Sequence, residues 1–214
     1  MSKSVYSLVL NDEVVRAVDR AAARQGLSRS EMVTRLLADS LSLTTPEMRV
    51  RRILDSAQEL LLSSDAPFRL SGETSDNVLA LRSALAFKYN PTVRYAVELS
   101  RGGEDLGVLR VSMRTQNETL LAMFADFVRT YARIESEYLA GVRYRVGTGR
   151  FERVLSLRSV PDAKQDEGTV GSLISAYVDL LDRCMKIYFS SPEEAEGKID
   201  RMIDAFATAH DYTV

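Results

Sequence analysis

The chain has 214 residues, 45% of them hydrophobic and 27% charged, with a formal net charge of -2. That balance excludes a disordered chain and predicts a small unit plus one sizeable domain. No run approaches the roughly 20 apolar residues of a membrane span, and the N-terminus lacks the apolar core of a signal peptide, so a cytoplasmic protein with no membrane partner is expected.

A single cysteine, Cys184, excludes an intrachain disulfide and lies in a helical apolar pattern, where it reads as a buried hydrophobe. With one histidine, His210, near the C-terminus, neither a His/Cys metal site nor a nucleophile triad is expected. No phosphate-loop or dinucleotide glycine motif is present, so the sequence predicts no enzyme and no cofactor.

In chain order, Val5-Tyr6-Ser7-Leu8-Val9-Leu10 alternates as a strand, sending Tyr6, Leu8 and Leu10 to one face and Val5, Ser7 and Val9 to the other. Asn11 then has the place of an N-cap, with Asp12 and Glu13 in the first turn and Val14, Val15, Val18, Ala21 and Ala22 as an apolar stripe ending at Gly26. Ser28 and Glu31 have the spacing of a capping box, so a second helix begins near Arg29 and carries Met32, Val33, Leu36, Leu37 and Leu41. This is more apolar surface than one strand and two short helices can bury, which predicts an intertwined homodimer.

Strand, cap, helix, glycine turn, capping box and second helix in this order resemble the ribbon-helix-helix DNA-binding family. The resemblance spans the first 43 residues, about a fifth of the chain. It implies that two strands pair across a twofold axis into a ribbon that enters the major groove of double-stranded DNA. The outward positions Val5, Ser7 and Val9 would then meet base edges, while Lys3, Ser28, Arg29 and Ser30 would contact phosphate, the last three at the start of the second helix. Valines offer only contact with a thymine methyl, so Ser7 is the single polar reader. Arg16, Arg20 and Arg24, at helical spacing, read as a solvated exterior stripe.

A domain boundary is expected near residue 45, giving a DNA-binding and dimerisation unit over residues 1–44 and a second domain over 45–214. A helix resumes at Glu47 with Val50, Ile53, Leu54, Ala57, Leu60 and Leu61. Ser75 and Asp76 suggest the cap of another helix over residues 75–89, with Val78, Leu79, Leu81, Leu85 and Ala86 apolar and Asn90-Pro91 as its stop. Residues 92–100 and 107–114 read as a β-hairpin, followed by a helix over 117–139. Residues 142–146 and 151–158 form a second hairpin, followed by helices over 169–189 and from Pro192.

The repeated Val-Arg-Tyr at 93–95 and 142–144 suggests a duplicated hairpin-helix unit. The expected fold class is therefore α+β: a ribbon-helix-helix unit followed by a two-layer domain, with helices on one face of a four-stranded antiparallel sheet. Tyr95, Arg110, Arg114, Tyr131, Arg143, Tyr144, Arg145 and Arg158 make the sheet region rich in groups that suit an anion or a nucleic-acid strand, although outward sheet positions are commonly just polar.

The function implied is that of a sequence-specific transcriptional regulator, a repressor by promoter occupancy. It would act as a homodimer or a tetramer of two dimers, with a protein partner or small effector at residues 45–214. The alternative is an antitoxin-like or plasmid-maintenance interaction protein that uses its N-terminal unit mainly to dimerise.

Overall fold

The computed structural model describes residues 5, 7–41, 43–63, 68–72, 75–87, 90–157, 160 and 165–210, and the chain divides into two units, Met1–Met48 and Arg49–Val214. Among the described residues it is an α+β protein with six helices and a six-stranded antiparallel sheet.

The first unit holds α1 (Asp12–Gln25) and α2 (Arg29–Ser40). Asn11 caps α1 by accepting from the Glu13 amide at 2.8 Å. Gly26 ends it in the left-handed region at φ 65°, which costs a glycine nothing, and its amide and that of Leu27 return to the last turn of α1. The two helices meet over a core of Val18, Ala22 and Met32, with Ala21, Leu27 and Val33 packed against it.

The strand expected over residues 5–10 is not formed in the single chain. Val5 and Ser7 to Leu10 lie in no ladder, and the first strand among the described residues comes after three helices. The physical reason is that strand pairing needs a neighbour, and the described residues of this unit offer no second strand. Tyr6 lies outside the described residues.

The boundary between the units falls in the first turn of α3 (Pro46–Ser63), whose Val50, Ile53, Leu54, Ala57 and Leu61 enter the core of the second unit. The sheet follows: β1 (Arg69–Leu70), β2 (Val78–Ala84), β3 (Thr92–Leu99), β4 (Gly107–Met113), then α4 (Glu118–Tyr138), β5 (Tyr144–Gly147) and β6 (Arg150–Leu155). Its strand order is β1-β2-β3-β4-β6-β5. The chain closes with α5 (Glu167–Ser190) and α6 (Pro192–Ala209).

The helix expected over residues 75–89 is instead β2, which pairs along its whole length with β3. Leu79, Leu81 and Ser83 point inward, whereas Ala80, Arg82 and Ala84 point outward. The small outward alanines make the period of two resemble a helical stripe, and the full ladder with β3 overrides local helix propensity. With β1 and β2 added, the sheet has six strands where four were expected.

One face of the sheet is the core. Register aligns Leu81, Tyr95, Val111 and Phe151 across β2, β3, β4 and β6, and all four are buried. Helix α5 is buried on nearly all sides, and Gly171 lets it approach α3: a Cβ there would lie 2.7 Å from Ser56 and 2.8 Å from the Ile53 carbonyl oxygen. Helix α6 packs against α4 and α5. The hairpin-helix order recurs as expected, but the Val-Arg-Tyr match is not structurally equivalent, because residues 93–95 lie inside β3 whereas only Tyr144 of the second copy enters a strand.

Candidate nucleic-acid interface

The start of α2 gathers three of the residues expected to touch phosphate. Ser28 forms a complete capping box: its hydroxyl accepts from the Glu31 amide at 3.3 Å, and its own amide donates to Glu31 Oε2 at 3.0 Å. The Ser28 hydroxyl also donates to that carboxylate at 2.7 Å, so Glu31 lies beside the helix end that would receive an anion. The amides of Arg29 and Ser30 are first-turn donors that an α-helix leaves without intrahelical acceptors.

Arg29 is not a free cation. Its Nε and Nη2 donate to the two oxygens of Asp19 at 2.6 and 2.7 Å, a fork that fastens α2 to α1. The hydrogen bond from Arg29 holds the Asp19 carboxyl below its ordinary value, and Asp19 in turn raises Arg29. The pair is therefore charged at neutral pH and loses its contribution only as acid titrates Asp19. Arg35 makes a second link between the helices by donating to Gln25 at 2.8 Å.

Val5, Ser7 and Val9, expected at base edges, are all exposed. Lys3 lies outside the described residues. The unit also leaves large apolar side chains in solvent: Leu8, Leu10, Val14 and Leu36 are exposed, Leu37 is 52% exposed and Leu41 is 66% exposed. Of the five apolar positions read on the second helix, only Met32 is buried and Val33 partly so.

In the second unit, the arginines and tyrosines expected near the sheet separate into two populations. Tyr95 and Tyr131 are buried and Tyr144 is half-buried against the core. Arg110 sits between Glu98 and Glu152, Arg143 bonds Asp105, and Arg158 lies outside the described residues. Arg114 and Arg145 remain exposed.

The buried side of this unit holds a polar cluster that sequence patterning passed over. Arg153 Nε donates to Glu135 Oε1 at 3.0 Å, while the Tyr144 and Tyr177 hydroxyls donate to Glu135 Oε2 at 2.6 and 3.0 Å. The guanidinium also stacks 4.2 Å above the Tyr177 ring. Burial disfavours the Arg153 charge, but Tyr177 and Glu135 together hold its pKa above the ordinary value. Burial drives the Tyr177 and Tyr131 hydroxyls well above theirs. Tyr95 OH donates to Asp182 at 2.9 Å, and Lys186 completes that pair. The signal available was parity: Arg153 stands between inward Phe151 and Leu155 on β6. Both Arg153 and Glu135 are sealed from solvent, so the cluster organises the fold and offers no surface for a ligand.

An open cleft of about 560 Å³ between α5 and α6 is lined by Asp179, Arg183, Ile187, Arg201, Met202 and Phe206. Among the described residues no three His, Cys, Asp or Glu side chains come together as a metal site, and no helix is long and apolar enough to cross a membrane. Comparison of the chain with protein-family models, curated proteins and solved structures finds no match.

Proposed function

We propose that residues 1–44 are a ribbon-helix-helix module, and that the protein is a cytoplasmic homodimeric transcriptional regulator which represses by occupying promoter DNA. The observation that carries this reading is the unfinished surface of the first unit. The described residues of this unit leave Leu8, Leu10, Leu36, Leu37 and Leu41 in water, and Ser7 to Leu10, with their strand-like alternation, pair with no described strand. A second copy supplies both needs, since its strand pairs with residues 5–10 and its helices cover the leucines. The resulting two-stranded ribbon has the width that the major groove admits and would present Val5, Ser7 and Val9 to base edges. Phosphates would meet the amides of Arg29 and Ser30 at the start of α2, with Lys3 beside the ribbon.

The test is selection of binding sites from random duplex DNA by the purified protein, with Lys3→Ala/Ser7→Ala/Arg29→Ala as control. A recurring palindromic or tandem half-site, lost in the control, is the expected result; no enrichment would refute the reading.

The Asp19 fork on Arg29 and the Glu31 carboxylate at the helix end favour a second reading, in which the unit mainly dimerises and the chain is an antitoxin-like or plasmid-maintenance interaction protein. Under that reading, copurification returns a stoichiometric protein partner and site selection returns nothing.

A further inference from the structure

We propose that the outward face of the sheet in the second unit is a separate surface for the phosphate backbone of duplex DNA. Register alone assembles it. Arg69 stands opposite Arg82, Arg82 opposite Arg94, Arg94 opposite Ser112, and Ser112 opposite Arg150, so one row crosses β1, β2, β3, β4 and β6. The four arginines are exposed, and none of their side chains has a hydrogen bond or ion pair to another described residue. Directly opposed like charges on a sheet are destabilising, so the face carries a cost that a bound anion removes.

Its charge is strongly one-sided. The strand positions facing outward include Arg69, Arg82, Arg94, Arg110, Arg145 and Arg150, against only Glu98 and Glu152, and both glutamates are engaged by Arg110. This excess stands on a chain whose formal net charge is -2. Near the arginines lie the small side chains Ala80, Ala84, Thr92, Ala96 and Ser112, and the outward Val78, Val108 and Val154 are half-buried.

Three physical features of the face select the occupant. At a strand spacing of about 4.8 Å the row extends about 19 Å, a length over which duplex DNA presents a phosphate charge every 1.7 Å or so. The outward strand positions carry no aromatic ring, so they lack the stacking platform on which single strands bind. They also lack the large apolar anchors that form the centre of a protein interface. A six-stranded sheet, about 24 Å across, is too wide for a major groove of about 12 Å, so it contacts the backbone and reads no sequence.

The face lies wholly within the second unit, and its action is independent of the N-terminal reading. The experiment uses the full chain and fluorescein-labelled duplexes of several unrelated sequences, comparing wild type with Arg82→Ala/Arg94→Ala/Arg150→Ala between about 50 and 200 mM salt. The expected result is a loss of affinity of roughly tenfold or more, equal on every duplex, with the slope of log affinity against log salt reduced by about 0.9 for each arginine that no longer meets a phosphate. Arg82→Lys/Arg94→Lys/Arg150→Lys keeps most of the binding, because charge and not bidentate geometry carries it. Arg94→Ala alone, reducing the slope by about 0.9, keeps the test valid should the triple variant fold poorly. Unchanged affinity and slope in both alanine variants overturns the proposal, as does poly-glutamate competing as well as duplex DNA at equal charge. If Val5→Ala/Ser7→Ala/Val9→Ala leaves sequence preference untouched while the arginine variants still lose affinity on every duplex, the N-terminal reading fails and this one stands.

Discussion

The two units bury their apolar residues to very different degrees. The second closes its own core: Tyr95, Val97, Leu109, Val111, Phe124, Phe127 and Leu181 are all at most 1% exposed, and even its interior charges have partners. Among the described residues the first buries only Val18, Ala22 and Met32 in a cluster and leaves both leucines of α2, Leu36 and Leu37, in solvent. A helix pair of this size cannot close a core from one chain, whereas a six-stranded sheet sharing one core with four helices can. The difference separates a body with a closed core from a small helix pair that leaves large apolar side chains in solvent.

Removing a partner inside the self-sufficient core should have the largest effect. Glu135→Ala leaves Arg153 buried without its carboxylate and strips the acceptor from Tyr144 and Tyr177, so unfolding in denaturant should show a loss of about 3 to 5 kcal/mol. Glu135→Leu combined with Arg153→Met should recover much of that loss, because an apolar pair of similar size needs no charge compensation.

Disrupting the incomplete unit should act through association. Leu37→Glu is expected to remove roughly 2 to 3 kcal/mol per chain from dimerisation, with little change in the unfolding of the second unit. Sedimentation across a concentration series separates this from the case in which Leu37 faces water in every state.

Helix approach in the second core is the next target. Gly171→Ala puts a methyl group 2.7 Å from Ser56 and 2.8 Å from the Ile53 carbonyl oxygen, and the backbone atom cannot swing aside as a side chain can. The expected cost is about 1 to 3 kcal/mol in the thermal or chemical unfolding of the second unit.

Alkali offers a finer probe of the same core. Burial holds the Cys184 thiol up to about 12 against an ordinary 9.0, and burial also raises the Tyr95, Tyr131 and Tyr177 hydroxyls. Because the folded values exceed the unfolded ones, the protein keeps full stability below the unfolded thiol value. Above it stability falls, by about 1.4 kcal/mol per pH unit for each such group, until the folded value is reached. Urea unfolding at a series of pH values checks this, and Cys184→Ala should flatten the first part of the decline. The smallest effect is expected for Asp19→Asn, which frees the exposed Arg29 fork. It should raise DNA affinity only a few-fold at low salt while leaving the unfolding of the second unit unchanged.

Legibility in the sequence follows the range of the interactions. Asn11, Gly26 and the Ser28 to Glu31 box act within a few residues, and the turns they imply are present. The β3 to β4 hairpin is readable from its alternation around Gly102 and Gly103, and the long helices from their apolar periods. β2 is hidden because Ala80 and Ala84 on its outer face mask the alternation, and nothing local indicates that β3 will pair with it. β1 is only two residues long and exists through its ladder alone. The Glu135 and Arg153 pair looks like ordinary surface charge until strand parity and helix packing bring the two together. The arginine row is invisible for the same reason: Arg69, Arg82 and Arg94 come from separate strands, and Arg150 reads as part of a turn. The candidate residues at the start of α2 are legible, but the Asp19 fork on Arg29 spans ten positions and has no periodic signature.

Residues 5–10 are expected to become a strand only in a second chain's company. Amide hydrogen exchange of residues 7–10, followed across a protein concentration series, measures this most directly. The expected result is alternating protection that grows as the dimer forms, since a paired strand shields every second amide. Amides that exchange freely at concentrations where sedimentation shows a dimer would contradict it.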